Sequence, residues 1–161
     1  MSNLLDYIAW RGDLDFTVAP LNPVDNIILC QLSYLPFEGI VPGPDEKKDI
    51  SVRDAMDTLS QRLQDDDAGS KPALLFKDDP AFINALGCSR RFGECRLSAF
   101  VNHIDPQQEI QFSALCIKIH DQSCFIVYRG TDASLVGWKE DFNMSFSEVI
   151  PAQREALEYL T

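Results

Sequence analysis

The run Cys124-Phe125-Ile126-Val127-Tyr128, followed at once by Arg129-Gly130-Thr131-Asp132, restricts the fold more than any other stretch of this chain. Five apolar residues rich in β-formers are too short for an ordinary helix and predict a strand buried on both faces. The strand stops where glycine lets the backbone turn sharply and where Thr131 and Asp132 offer polar groups. In an open α/β sheet, ligands bind in the crevice beyond the carboxyl ends of the strands. A site is therefore expected at this corner.

Two earlier stretches complete a predicted antiparallel meander. Arg96 to Ile104 and Ile110 to Ile119 have β character, separated by the turn 105–108, and His120-Asp121-Gln122-Ser123 reads as a hairpin turn. The first ninety residues read as helices. Ser2 or Asn3 caps Leu4 to Arg11, with Gly12 as its stop. Asn22-Pro23-Val24-Asp25 has asparagine at the cap, proline at the first position and an acid in the first turn, opening a helix that runs to about Tyr34. Residues 36–50, rich in proline, glycine and charge, form a loop. Ser51-Val52-Arg53-Asp54 opens a third helix to about Leu63, and a polar linker, 64–72, separates it from a fourth over Ala81 to Leu86, stopped by Gly87. Four helices thus precede the sheet. Leu135 to about Ser145 and Pro151 to Leu160 are read as helices that follow it.

With 161 residues and 45% apolar content, the chain suits a single domain with a sizeable core, helical over about 1–90 and sheet-forming over about 91–161. A net charge of −11 disfavours binding to nucleic acid or to anionic membrane surfaces. No apolar run approaches the roughly 20 residues needed to cross a bilayer. The first dozen residues lack the basic start and apolar middle of a signal peptide, which leads to an expected cytoplasmic location. In that compartment the five cysteines, Cys30, Cys88, Cys95, Cys116 and Cys124, are expected to be free and mostly buried.

Phe125-Ile126-Val127-Tyr128-Arg129-Gly130-Thr131, with Trp138-Lys139-Glu140-Asp141-Phe142 behind it, resembles the oxyanion-hole segment of class 3 lipases, which are α/β-hydrolases. Asn3 to Asp13 and Val24 to Leu35 add to a resemblance to a bacterial domain-of-unknown-function family of α/β-hydrolase-like proteins related to those lipases. The likeness runs over essentially the whole chain. It implies an α/β fold in which N-terminal helices lead into the first antiparallel strands of a hydrolase-like sheet. It also implies that Thr131 stabilises an oxyanion, that Asp141 orients Thr131, and that the final helix leads towards a nucleophile strand lying outside the sequence. The chain thus reads as the N-terminal part of a lipase- or esterase-like serine hydrolase, inactive by itself. A substrate with an ester or related acyl bond would belong to the complete protein. The alternative is a non-catalytic, hydrolase-derived binding or assembly module, self-associating through an exposed sheet edge. A third reading treats the N-terminal helices as a regulatory cap.

The chemistry of the corner is independent of that resemblance. An acyl-transfer oxyanion needs donors fixed before charge develops, and a backbone N–H at a tight turn meets that need. The plainer reading is a strand, turn and helix in which Thr131 merely caps, Arg129 pairs with Asp132, Glu140 or Asp141, and Trp138 packs in the core. No Gly-x-Ser-x-Gly occurs; Gly87-Cys88-Ser89-Arg90-Arg91 lacks the second glycine and follows a helix. His103, within a strand, and His120, in a turn, are both poorly placed as a base, so nucleophile and base are absent. If Ile119 pairs with Cys124, Cys116 and Cys124 point to opposite faces, and no zinc site forms with His120. Asp65-Asp66-Asp67 fails as a calcium loop, because Phe76 occupies the twelfth position where glutamate is required. No metal or cofactor is expected.

Overall fold

The computed structural model describes residues 3–64, 74, 79–105, 107, 110–119, 123–130, 142, 145–146 and 148–161. Among them a mixed assembly of helices and one antiparallel sheet forms, which places the chain in the α/β class in the broad sense. The order is α1 (Leu4–Arg11), α2 (Pro23–Leu32), β1 (Ile50–Ser51), α3 (Val52–Gln64), α4 (Asp79–Cys88), α5 (Arg90–Gly93), β2 (Arg96–Asp105), β3 (Ile110–Lys118), β4 (Cys124–Tyr128) and α6 (Pro151–Glu158). Five helices, not four, precede the meander, and β1 adds a short strand beside β2. The expected helix over 135–145 lies outside the described residues.

The helix starts follow from local chemistry. Asn3 Oδ1 accepts the Asp6 N–H at 3.0 Å while Asp6 Oδ2 accepts the Asn3 N–H at 3.0 Å, so two otherwise orphaned donors are satisfied reciprocally. Asn22 and Asp25 repeat the arrangement at α2, with Asn22 Oδ1 taking the Val24 N–H at 2.9 Å. Ser51 Oγ accepts the Asp54 N–H at 3.0 Å at the start of α3. Gly12 ends α1 for a steric reason rather than a left-handed one, since its φ is −69°. A Cβ there would sit 3.0 Å from Ser89 Oγ and closer still to the Ile8 carbonyl. That close approach lets the Gly12 carbonyl accept both the Arg91 N–H at 2.9 Å and the Ser89 hydroxyl at 3.1 Å.

Strands β1 to β4 pair in sequence order. Their inner face carries Leu97, Phe100, Leu115, Ile117 and Val127 onto α2, α3 and α4, where Ile28, Leu29, Leu32, Val52, Met56, Leu59 and Leu86 complete the main core. The outer face carries Val101, Phe112 and Ala114 under Ala152, Ala156 and Tyr159 of α6, a second and smaller cluster. β2 is broken by a bulge between Ser98 and Val101. There Ala99 takes a positive φ of 52°, and the Phe100 N–H is diverted to the Pro42 carbonyl at 2.9 Å.

Two expectations fail on this sheet. β4 is not buried on both faces: it has only β3 as a described neighbour, Val127 is its one buried residue, and Ile126 and Tyr128 are exposed. An apolar run reports β propensity and not how many neighbours the strand will have. The cysteines are not all free either, because Cys116 and Cys124 form a disulfide with Cα atoms 6.4 Å apart. The observed register pairs Lys118, not Ile119, with Cys124, and Cys116 with Ile126. That slip of one residue moves Cys124 onto the face of Cys116. Of the remaining three, Cys30 and Cys88 are exposed and only Cys95 is buried.

Candidate functional site

The carboxyl end of β4 is the position to which the sequence assigns chemistry. Thr131 and Asp141, the expected oxyanion donor and its orienting acid, lie outside the described residues, as do His120, Asp132, Trp138 and Glu140. The residues leading into the corner are described. The Arg129 N–H continues the ladder onto the Ser113 carbonyl at 2.9 Å, and Gly130 follows, exposed. The sheet therefore holds the backbone up to one residue before the glycine.

A side-chain chain braces this end on the inner face. Arg129 Nη2 donates to Asn102 Oδ1 at 2.8 Å, and Asn102 Nδ2 donates to Glu38 Oε1 at 2.5 Å. Among the described residues, the partner of Arg129 is thus a neutral amide that relays it to a carboxylate. Tyr34 stands nearby: a Cβ built on Gly130 would lie 3.4 Å from its hydroxyl, at the edge of ordinary van der Waals contact. The φ of Gly130 is not in the left-handed region, so its described backbone does not itself require glycine. The arrangement leaves an exposed backbone segment, flanked by a phenol and a guanidinium, at the margin of a rigid sheet.

His103 occupies the other face. Its Nδ1 lies 2.7 Å from Glu155 Oε1 on α6, which orients the ring. No serine, threonine or cysteine hydrogen-bonds His103 among the described residues. The sequence signal for this pair is the α6 spacing. Ala152, Ala156 and Tyr159 mark the half-buried stripe, and Glu155 borders it.

Ser89, the nearest match to a nucleophile motif, is engaged in structure. Its Oγ accepts the Phe92 N–H at 3.2 Å and donates to Gly12, so it caps α5 and is buried. Cys95 is unsuited to nucleophilic work as well. Burial pushes its thiol up to about 12, which keeps it protonated at neutral pH.

The residues missed most completely by sequence reasoning are Arg91 and Asp25. Both side chains are fully buried, and Arg91 Nη2 meets Asp25 Oδ2 at 2.5 Å while Nε meets Oδ1 at 2.8 Å. Arg91 Nη1 donates to the Leu14 and Ala19 carbonyls, each at 2.8 Å, and Nη2 also to Pro20 at 3.2 Å. The Tyr7 hydroxyl reaches Asp25 Oδ1 at 3.0 Å, and the Phe16 ring lies 4.0 Å from the guanidinium. Burial alone would lower the pKa of this arginine, but the hydrogen bonds and charge of Asp25 outweigh it and the net shift is upward. With every donor used inside the protein, this clamp ties the 13–21 loop to α2 and α5 and offers nothing to a ligand.

Residues 86–161 match a protein-family model described as Mbeg1-like, a span that holds α5, β2 to β4, the corner and α6. The match covers somewhat less than half of the chain. It marks a likeness of that portion. No curated protein and no solved structure matches the chain.

Proposed function

We propose that this chain supplies the oxyanion side of an acyl-hydrolase-like site at Arg129-Gly130-Thr131, with the attacking serine lying outside residues 1–161. The observation that carries the reading is the exposed Gly130 just past β4, next to Arg129, whose backbone is fixed by its ladder bond and whose side chain is fixed by the Asn102–Glu38 relay. Donors fixed before charge develops are what stabilising a tetrahedral oxyanion demands, and a strand end fixed by its ladder is a suitable base for one. Thr131 provides that amide and a hydroxyl, Asp141 orients the hydroxyl, and the substrate carries an ester or related acyl bond. The hydrolase-like character of the sheet is part of the same proposal: hydrolase sheets are mostly parallel, whereas the described strands are antiparallel throughout and would be only its opening.

A fluorophosphonate probe tests this directly. The 161-residue chain should remain unlabelled, and covalent labelling of any serine in it overturns the reading. In the protein encoded by the complete natural reading frame, a serine outside 1–161 should label. Replacing Thr131 with Val should then slow labelling by roughly 10²–10³. Labelling indifferent to Thr131→Val removes the oxyanion role.

A second reading rests on β4 as the edge of the described sheet. Ile126 and Tyr128 are exposed on its outer face, and Leu157 of α6 and Leu160 just beyond it are exposed too. Such an edge suits a non-catalytic assembly module that pairs with a second copy. Sedimentation analysis separates the two: a dimer dissolved by Ile126→Lys favours assembly.

A further inference from the structure

The bulge of β2 and the loop before β1 border an open groove of about 360 Å³ whose lining includes Lys47, Lys48, Lys118 and Ala99 together with Glu46 and Asp49. We propose that this groove binds a small molecule bearing a phosphate group. The first support is a local charge imbalance in a chain whose net charge is −11. The carboxylate of Asp49 is already held by Arg96 at 2.7 Å, and that of Glu46 accepts the Gly43 N–H at 3.2 Å. Lys47, Lys48 and Lys118 form no ion pair among the described residues. Three lysines without an ion pair among the described residues therefore line one concavity, and of its two acids Asp49 is already paired with a cation.

Ammonium groups act as point charges with three donors each, which suits a tetrahedral oxyanion of two or more charges rather than the flat fork of a single carboxylate. The volume lies at the lower end of small-ligand sites and exceeds what a bare phosphate fills.

The second support is the wall itself. Ala99 has a φ of 52°, where residues with a Cβ rarely sit. It is held there by the bulge, by the Phe100–Pro42 hydrogen bond and by the Tyr159 hydroxyl, which donates to the Ala99 carbonyl at 2.7 Å. Strained backbone of this kind persists where surrounding structure over-determines it, and it concentrates at ligand clamps. Ser98 and Ala99, at the bulge, form part of the groove's lining.

Isothermal titration with inorganic pyrophosphate and with glycerol 3-phosphate, using glycerol as the uncharged control, tests the proposal. Saturable binding of a phosphate probe near or below ~1 mM at low salt is expected, with none for glycerol. Lys118→Gln should weaken it about tenfold or more, because a charge-assisted contact is lost. Arg154→Gln, which removes an equal charge on α6, should leave it within about twofold. Circular dichroism on both variants separates loss of binding from loss of fold. Failure of both phosphate probes to saturate, equal weakening by the two substitutions, or full binding by folded Lys118→Gln would each overturn the proposal.

Discussion

Arg91 and Arg129 are both arginines fixed by oxygen acceptors, yet they do opposite things. Arg91 is sealed from solvent, saturated by Asp25 and four backbone carbonyls, and reaches across 66 positions of sequence to its carboxylate. Arg129 is only partly covered, makes its side-chain contact with an amide, and stands one residue before an exposed glycine. The contrast teaches how to separate a cation that builds a fold from one that is free to serve a site. What matters is how many of its donors the protein has already consumed. It also divides the molecule. The α1–α2–α5 side is locked by buried polar contacts, whereas the β4 end is braced lightly and left open.

The largest effect should come from the locked side. Arg91→Ala leaves the Asp25 carboxylate buried without its counter-charge and should cost about 3–5 kcal/mol in urea unfolding. Asp25→Ala should cost a similar amount. Combining Arg91→Leu with Asp25→Leu should recover part of the loss, since an apolar pair needs no desolvation. If both single variants cost under about 1 kcal/mol, Arg91 is not a structural clamp and the contrast with Arg129 collapses.

An intermediate effect belongs to Tyr159, which ties α6 to the bulge. Its hydroxyl donates to the Ala99 carbonyl and burial, with a smaller push from Tyr128, raises its pKa from 10.0 to about 12. A raised folded-state pKa means the folded state holds the proton more tightly. The resulting stability is complete below pH 10 and is lost as pH rises towards about 12. Tyr159→Phe should cost about 1 kcal/mol at neutral pH and flatten that alkaline decline. Denaturant midpoints measured across pH 9 to 12 check it; an unchanged decline in Tyr159→Phe assigns the titration elsewhere.

How much of this was legible beforehand depends on distance along the chain. The starts of α1, α2 and α3 were readable because Asn3, Asn22 and Ser51 satisfy amides two or three residues away. The three long strands were readable from their β-branched and aromatic runs. β1 was not, because Ile50 and Ser51 extend only by pairing with Leu97 and Arg96, which no local pattern announces. The hairpin register was misplaced by one residue, and that single step hid the Cys116–Cys124 bridge. Asp25 looked like a first-turn acid because its local role is real; its partner, Arg91, lay too far off to be inferred. At the corner, the glycine and the strand that presents it were visible, whereas the Asn102–Glu38 relay joins three separate segments and was not.

The smallest effect should fall on the open side, and it sharpens the comparison most. Arg129→Ala removes one exposed hydrogen bond to Asn102, so the expected loss of stability is below about 1 kcal/mol. Asn102→Ala should cost a similarly small amount. The two should be non-additive, because each removes the same contact. Local order should respond more than global stability. Amide exchange at Arg129 should quicken in either variant, since its N–H is held by the ladder bond to Ser113 and the relay braces the same residue. A small stability loss with faster Arg129 exchange is what a lightly braced site wall predicts. A loss as large as that of Arg91→Ala would instead make Arg129 a second clamp, and the corner would then be part of the frame rather than a place for a ligand.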